Sequence, residues 1–121
     1  MSNLRLQKLV YYAQGLNLVL TGSPLFFANI IAFRYGPVVP ELYRAYANNS
    51  GAIPSPTNVD FSVYSHDVKD FLDEVYMVFG QLSASRLMEL AHSDQCWKDA
   101  YPNKIITHKA MQKALVKYIK K

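Results

Sequence analysis

The chain is poor in the residues that most often carry chemistry. It has one cysteine, one tryptophan and five scattered glycines in 121 residues. The lone Cys96 excludes an internal disulfide framework and fits a reducing compartment. Gly15, Gly22, Gly36, Gly51 and Gly80 build neither a G-x-G-x-x-G nor a P-loop pattern, so no phosphate cradle is present in the sequence. Long apolar runs are also missing. Arg5, Gln7, Lys8, Gln14 and Asn17 interrupt Leu4 to Leu20, which removes both a secretory leader and a membrane span of roughly 20 apolar residues. The expected location is therefore cytoplasmic, with no membrane partner.

Acidic residues are absent after Asp99, where Lys104, Lys109, Lys113, Lys117, Lys120 and Lys121 fall. The middle is the reverse: Asp67, Asp70, Asp73 and Glu74 surround the single Lys69. The net charge is only +4, and both stretches read as solvated helix faces. The lysine-rich end also supports a second reading, a nucleic-acid-binding regulator. Against it stand the dispersal of the other basic residues and the lack of a helix-turn-helix pattern.

Apolar spacing predicts a mainly α (α+β) fold: one compact domain over residues 1–121, with about five to six helices and a small β element near residues 26–35. A first helix runs from about Asn3 to Leu20 on the stripe Leu6, Leu9, Val10, Ala13, Leu16 and Leu20, and Gly22 with Pro24 ends it. Ile30–Arg34 reads as a short strand, closed by a turn at Gly36-Pro37. Pro40 and Glu41 suit the start of a second helix whose buried side is Leu42, Tyr43, Tyr46 and Ala47. A loop from Asn48 to Asp60 follows. A third helix begins near Ser65 on the stripe Val68, Phe71, Leu72, Val75, Val78 and Phe79, and Gly80 closes it. Ser83, Asp94 and Thr107 are candidate caps for three further helices, the last carrying Ala110, Met111, Ala114, Leu115, Tyr118 and Ile119.

No constellation for catalysis stands out. His92 and Cys96 have metal-ligand spacing, and Asp94 lies between them. A zinc site needs three or four protein ligands, and a helix boundary separates this pair. A buried thiol and a capping or surface histidine explain them better, so no metal, cofactor or enzymatic activity is expected. Tyrosine is abundant, with nine in the chain. It has an apolar body and a polar tip and is enriched at interfaces. Tyr43 and Tyr46 fit a core edge. Tyr11 and Tyr12 are adjacent, so one of them is expected to lie off the buried stripe. Trp97, on a helix too short to stand alone, is expected to be a mostly buried structural anchor.

Several phrases resemble one family. Leu6-Gln7-Lys8-Leu9-Val10-Tyr11-Tyr12-Ala13-Gln14-Gly15 looks like its opening helix, and Leu20-Thr21-Gly22-Ser23-Pro24-Leu25-Phe26 looks like its first turn. The block Tyr35-Gly36-Pro37-Val38-Val39-Pro40-Glu41-Leu42-Tyr43 is the most specific. Phe79-Gly80-Gln81-Leu82-Ser83-Ala84 with Leu87, Leu90, His92 and Trp97-Lys98 completes the pattern. Together these resemble the Panacea-domain antitoxins, the SocA-like, phage-associated proteins. Phe33 stands where a Trp is usual, Ala91 replaces a Thr, and Gln95-Cys96 replaces Asp-Pro. The resemblance implies a bacterial or phage antitoxin that neutralises a cognate protein toxin by direct binding. For one member it also implies an adaptor role that delivers the toxin to a Clp protease. Tyr12, Tyr35, Gly36 and Pro37 are the candidate toxin-binding residues.

Overall fold

The computed structural model describes residues 3–45 and 66–119, with only the backbone for 66–69. In chain order the elements are α1 (Asn3–Thr21), β1 (Ile30–Phe33), β2 (Gly36–Val38), α2 (Pro40–Ala45), α3 (His66–Phe79), α4 (Ala84–His92), α5 (Gln95–Ala100), β3 (Ile105–Ile106) and α6 (His108–Leu115). A single 3-10 turn, Val116–Tyr118, follows α6. The mainly α architecture with a small β element is as the spacing predicts. Tyr46, Ala47, the side chain of Val68 and the loop from Asn48 to Asp60 lie outside the described residues.

Helix α1 is the centre of the fold and packs against α3, α4, α6 and β2. It stops where expected, at Gly22 with φ +77°, whose N–H donates to Leu18 O at 2.9 Å. It is not one-sided, however. Gln7, Lys8 and Gln14, which interrupt its apolar stripe, are as buried as Leu9 and Leu16. Gln14 Oε1 accepts from the N–H of Leu25 at 2.7 Å and of Phe26 at 3.3 Å, and its Nε2 donates to Phe26 O at 2.9 Å. Gln7 Oε1 accepts from Val39 N–H at 2.9 Å. These amides satisfy extended backbone that crosses the helix, which is how polar residues become core residues without leaving donors or acceptors orphaned. Gly15 lies so close to the Leu115 side chain that a Cβ there has no room, and this sets the approach of α1 and α6.

The strands form one antiparallel sheet of order β2-β1-β3. The turn of the β1–β2 hairpin is Arg34-Tyr35. The expected turn at Gly36-Pro37 is thus corrected: Gly36 pairs with Phe33 and Pro37 with Ala32, inside β2. Pro37 is tolerated there because β2 is an edge strand. Gly36 has φ +119°, a conformation that only glycine adopts freely. Strand β3 has just two residues, too few for a sequence pattern.

Two of the three expected caps hold. Ser83 accepts from Arg86 N–H at 3.2 Å and Thr107 from Ala110 N–H at 3.1 Å. Asp94 occupies the N-cap of α5 but makes no side-chain cap bond. The expected stripes fail at their ends. Leu20, in the last turn of α1, is exposed, and Val78 is 64% exposed because Val75 and Phe79 already fill that side of α3. Ile119 is exposed because the chain tightens to three residues per turn after Leu115, which rotates it out of phase.

Candidate functional site

Among the described residues, a buried cluster on Asp94 and the exposed tip of the hairpin stand out as polar features.

The Asp94 carboxylate is fully enclosed. Its Oδ2 accepts from the hydroxyls of Tyr11 at 2.9 Å and Tyr12 at 3.0 Å. Its Oδ1 accepts from the hydroxyl of Tyr118 at 3.0 Å and lies 3.1 Å from the Lys117 ammonium. Cys96 Sγ is 3.1 Å from the Tyr11 hydroxyl. The rings pack as tightly: Tyr12 stacks on Phe79 at 4.4 Å between centroids and meets Tyr11 and Tyr118 edge-on. Burial, with the negative field of Asp94, pushes the phenols of Tyr11, Tyr12 and Tyr118 above their ordinary range. Burial also pushes the Cys96 thiol up, away from the thiolate that a nucleophile needs. The cluster joins α1, the α4–α5 junction and the segment after α6, and its chemistry is that of a structural hub.

This overturns one expectation. Neither Tyr11 nor Tyr12 lies off a buried face; both are completely enclosed. Adjacent residues of a helix point about 100° apart, and both directions are covered here because partners surround α1. Sequence reasoning saw Asp94 only as a cap or a metal oxygen. The signal that finds it is its neighbourhood: an acid between buried Ala91 and Cys96 needs donors, and buried tyrosines need an acceptor.

His92 and Cys96, weighed above as metal ligands, face different partners. His92 Nε2 is 2.9 Å from Arg34 O, and Cys96 faces Tyr11. Among the described residues no group of three or more His, Cys, Asp or Glu side chains converges.

The hairpin tip is built differently. Its two carbonyls are held from outside the hairpin. Trp97 Nε1 donates to Phe33 O at 2.9 Å, and His92 Nε2 donates to Arg34 O, since a carbonyl can only accept. The two rings meet at 4.2 Å between centroids with a tilt of 31°, and Tyr101 stacks on Trp97 at 4.8 Å. Trp97 is partly buried against the core and braces the turn. From this clamped turn Tyr35 projects 51% exposed, with the Arg34 guanidinium 5.5 Å from its ring centroid. Gly36 and Pro37 are buried behind it, and a Cβ on Gly36 would lie 3.1 Å from Lys8 Cε. Of the four candidate binding residues, the structure brings Tyr35 to the surface and keeps Tyr12, Gly36 and Pro37 inside. Arg34, which the sequence did not single out, stands beside Tyr35.

A long helix packed against shorter helices, with a clamped β-hairpin at its side, is the frame on which these features sit. The family model described as antitoxin SocA-like, Panacea domain matches residues 6–98, and the chain belongs to that family. Antitoxin SocA of Caulobacter vibrioides (strain NA1000 / CB15N) is 31% identical over 103 residues, covering 76% of this chain. The chain spans about half, 55%, of that relative's length. No solved structure matches the chain. Asp94, Trp97 and the hairpin tip all fall within the matched stretch, whereas Tyr101, β3, α6 and Tyr118 lie beyond it. No helix among the described residues is long and apolar enough to cross a membrane.

Proposed function

We propose that the chain is a non-catalytic antitoxin that neutralises a cognate protein toxin by direct contact, and that the hairpin tip Arg34-Tyr35 is the centre of that contact. The observation that carries the placement is an exposed arginine–tyrosine pair on a turn whose carbonyls are pinned by Trp97 and His92. Arginine and tyrosine are the residue types enriched at binding hot spots, and a turn that is already fixed loses little freedom when it binds. Loops carried on a rigid scaffold are also where binding residues concentrate.

The test is co-expression with the protein encoded beside it. Growth rescue and a stable complex are expected, and Tyr35→Ala is expected to weaken the complex by more than about 1 kcal/mol, the threshold of a contributing interface residue. No complex and no rescue would refute the antitoxin reading. An intact complex with Tyr35→Ala would place the contact elsewhere. Delivery of the toxin to a Clp protease is the finer reading, and a toxin lifetime that shortens only when both antitoxin and protease are present would support it. The nucleic-acid reading ranks second. Lys117, one of its basic residues, is already engaged by Asp94. A sequence-specific shift surviving about 200 mM salt would favour it, since pure phosphate contact fades by then.

A further inference from the structure

We infer that the hairpin tip takes an acidic segment of the bound protein, with carboxylates seated on Arg34, Lys98 and Lys104. This deepens the antitoxin reading and rests on its placement of the contact. The fold brings the three residues to strand β1 and its turn. Arg34 is in the turn. Lys98 follows Trp97, whose indole N–H holds Phe33 O. The carbonyl of Lys104 accepts from Ala32 N–H at 3.0 Å, two residues before Arg34. All three are exposed, and among the described residues none of them pairs with a carboxylate.

Of the acids close to them in the chain, Asp99 and Glu41 are exposed and the others are enclosed or paired. Asp99 accepts from Gln95 Nε2 at 2.8 Å, Asp94 is enclosed, and Glu89 pairs with Arg86 at 3.3 Å. Three exposed cations, set against the Asp99 carboxylate beside Lys98, leave an excess of positive charge that raises the local potential and speeds encounter with an oppositely charged partner. Tyr35 and Tyr101, 51% and 41% exposed, supply apolar surface beside the charges. A single-stranded nucleic acid is the less suited anionic occupant. Its bases need several open aromatic faces, and with His92 and Trp97 against each other and one face of Tyr101 on Trp97, Tyr35 is the ring at the turn left for stacking.

The experiment has two arms. In the first, an Asp/Glu/Tyr peptide and its Asn/Gln/Tyr twin are titrated into the protein, read by the fluorescence of Trp97, the only tryptophan in the chain. The acidic peptide is expected to bind at least tenfold more tightly, and Arg34→Glu to abolish the difference. In the second, association with the neighbour-encoded protein is expected to slow at least tenfold between about 50 and about 500 mM salt, as exposed charges are screened. Arg34→Glu should weaken that complex more than Arg34→Gln, with unfolding midpoints unchanged. Equal binding of the two peptides overturns the inference, as does a complex indifferent to salt and to Arg34→Glu. In either case the antitoxin reading survives if Tyr35→Ala still disrupts the complex. Absence of any complex overturns both. Tighter binding of an RNA of about 20 nucleotides than of the acidic peptide, lost with the same Arg34→Glu change, would assign the tip to nucleic acid instead.

Discussion

Removing the Asp94 carboxylate without removing its donors should damage the fold more than removing both. Asp94→Leu fills much of the same space but leaves the buried hydroxyls of Tyr11 and Tyr12 with no acceptor on that side. An orphaned buried hydroxyl costs about 1–3 kcal/mol, so the two together predict a loss of about 2–6 kcal/mol. Tyr118 is only partly buried and can turn to water, so it adds little. That loss is a large fraction of the stability of a typical domain, about 5–15 kcal/mol. In the wild-type background, Tyr11→Phe and Tyr12→Phe each remove a bond to a charged acceptor and should cost about 1.5–3 kcal/mol. In the Asp94→Leu background the sign should invert. Each Tyr→Phe change now deletes an unsatisfied group and should restore about 1–2 kcal/mol. Urea unfolding followed by circular dichroism on the single, double and triple variants measures the coupling directly. If the Tyr→Phe costs are the same in both backgrounds, the cluster is not an interdependent network, and these rings hold the core by packing alone.

Lys8 is buried with Leu4 O, at 3.2 Å, as its hydrogen-bond acceptor, and burial lowers its pKa from 10.5 to about 8. Its charging opposes folding below about pH 8, and that opposition disappears as the pH rises towards 10.5, so stability should climb across this window. With allowance for partial hydration the climb should be about 1–3 kcal/mol, and Lys8→Met should flatten it. Above about pH 10 the trend should reverse, because unfolded tyrosines ionise there while Tyr11, Tyr12 and Tyr118 in the fold resist ionisation. Stability curves at stepped pH check both limbs. Gly36→Ala should cost more than about 1 kcal/mol by thermal unfolding, since it combines a left-handed φ with a close approach to Lys8. Trp97→Ala should cost about 2–4 kcal/mol, near the lower edge for aromatics because the ring is half-buried, whereas Tyr35→Ala should stay within about 0.5 kcal/mol. Equal unfolding midpoints for those two variants would refute the division into brace and contact.

The elements with several periodic turns and a chemical end signal were legible. The limits of α1, the caps Ser83 and Thr107, and the buried side of α6 follow from spacing and short-range hydrogen bonding. What was not legible depends on contacts far apart in the chain. The broad burial of α1 needs α3, α4, α6 and β2 to pack against it, and nothing in Gln7 or Gln14 announces the backbone they will hold. Gly36-Pro37 reads as a turn because both residues are turn formers. The hairpin reverses two residues earlier because Trp97 and His92, some sixty positions away, capture the carbonyls of Phe33 and Arg34. The Asp94 hub joins residues more than eighty apart for the same reason. Tyr35 is legible from its place beside a turn, whereas an isolated arginine such as Arg34 carries no pattern.

Helix α1 also bears on how this sequence can change over time. Ten of its 19 residues are buried, and the sector they leave holds the partly buried Leu6, Val10 and Asn17. An ordinary surface helix has an outer face where substitutions drift freely, and most changes there cost less than about 0.5 kcal/mol. Here that freedom is largely absent. A change at Gln7 or Gln14 strands backbone groups, a change at Gly15 strikes Leu115, and a change at Tyr11 or Tyr12 disturbs Asp94. The hairpin turn is the opposite case, since the clamp grips its main chain and leaves the identities of residues 34 and 35 open. Variation that alters what the surface recognises can accumulate at that turn while the central helix stays nearly fixed, so one scaffold can present different tips to different partners.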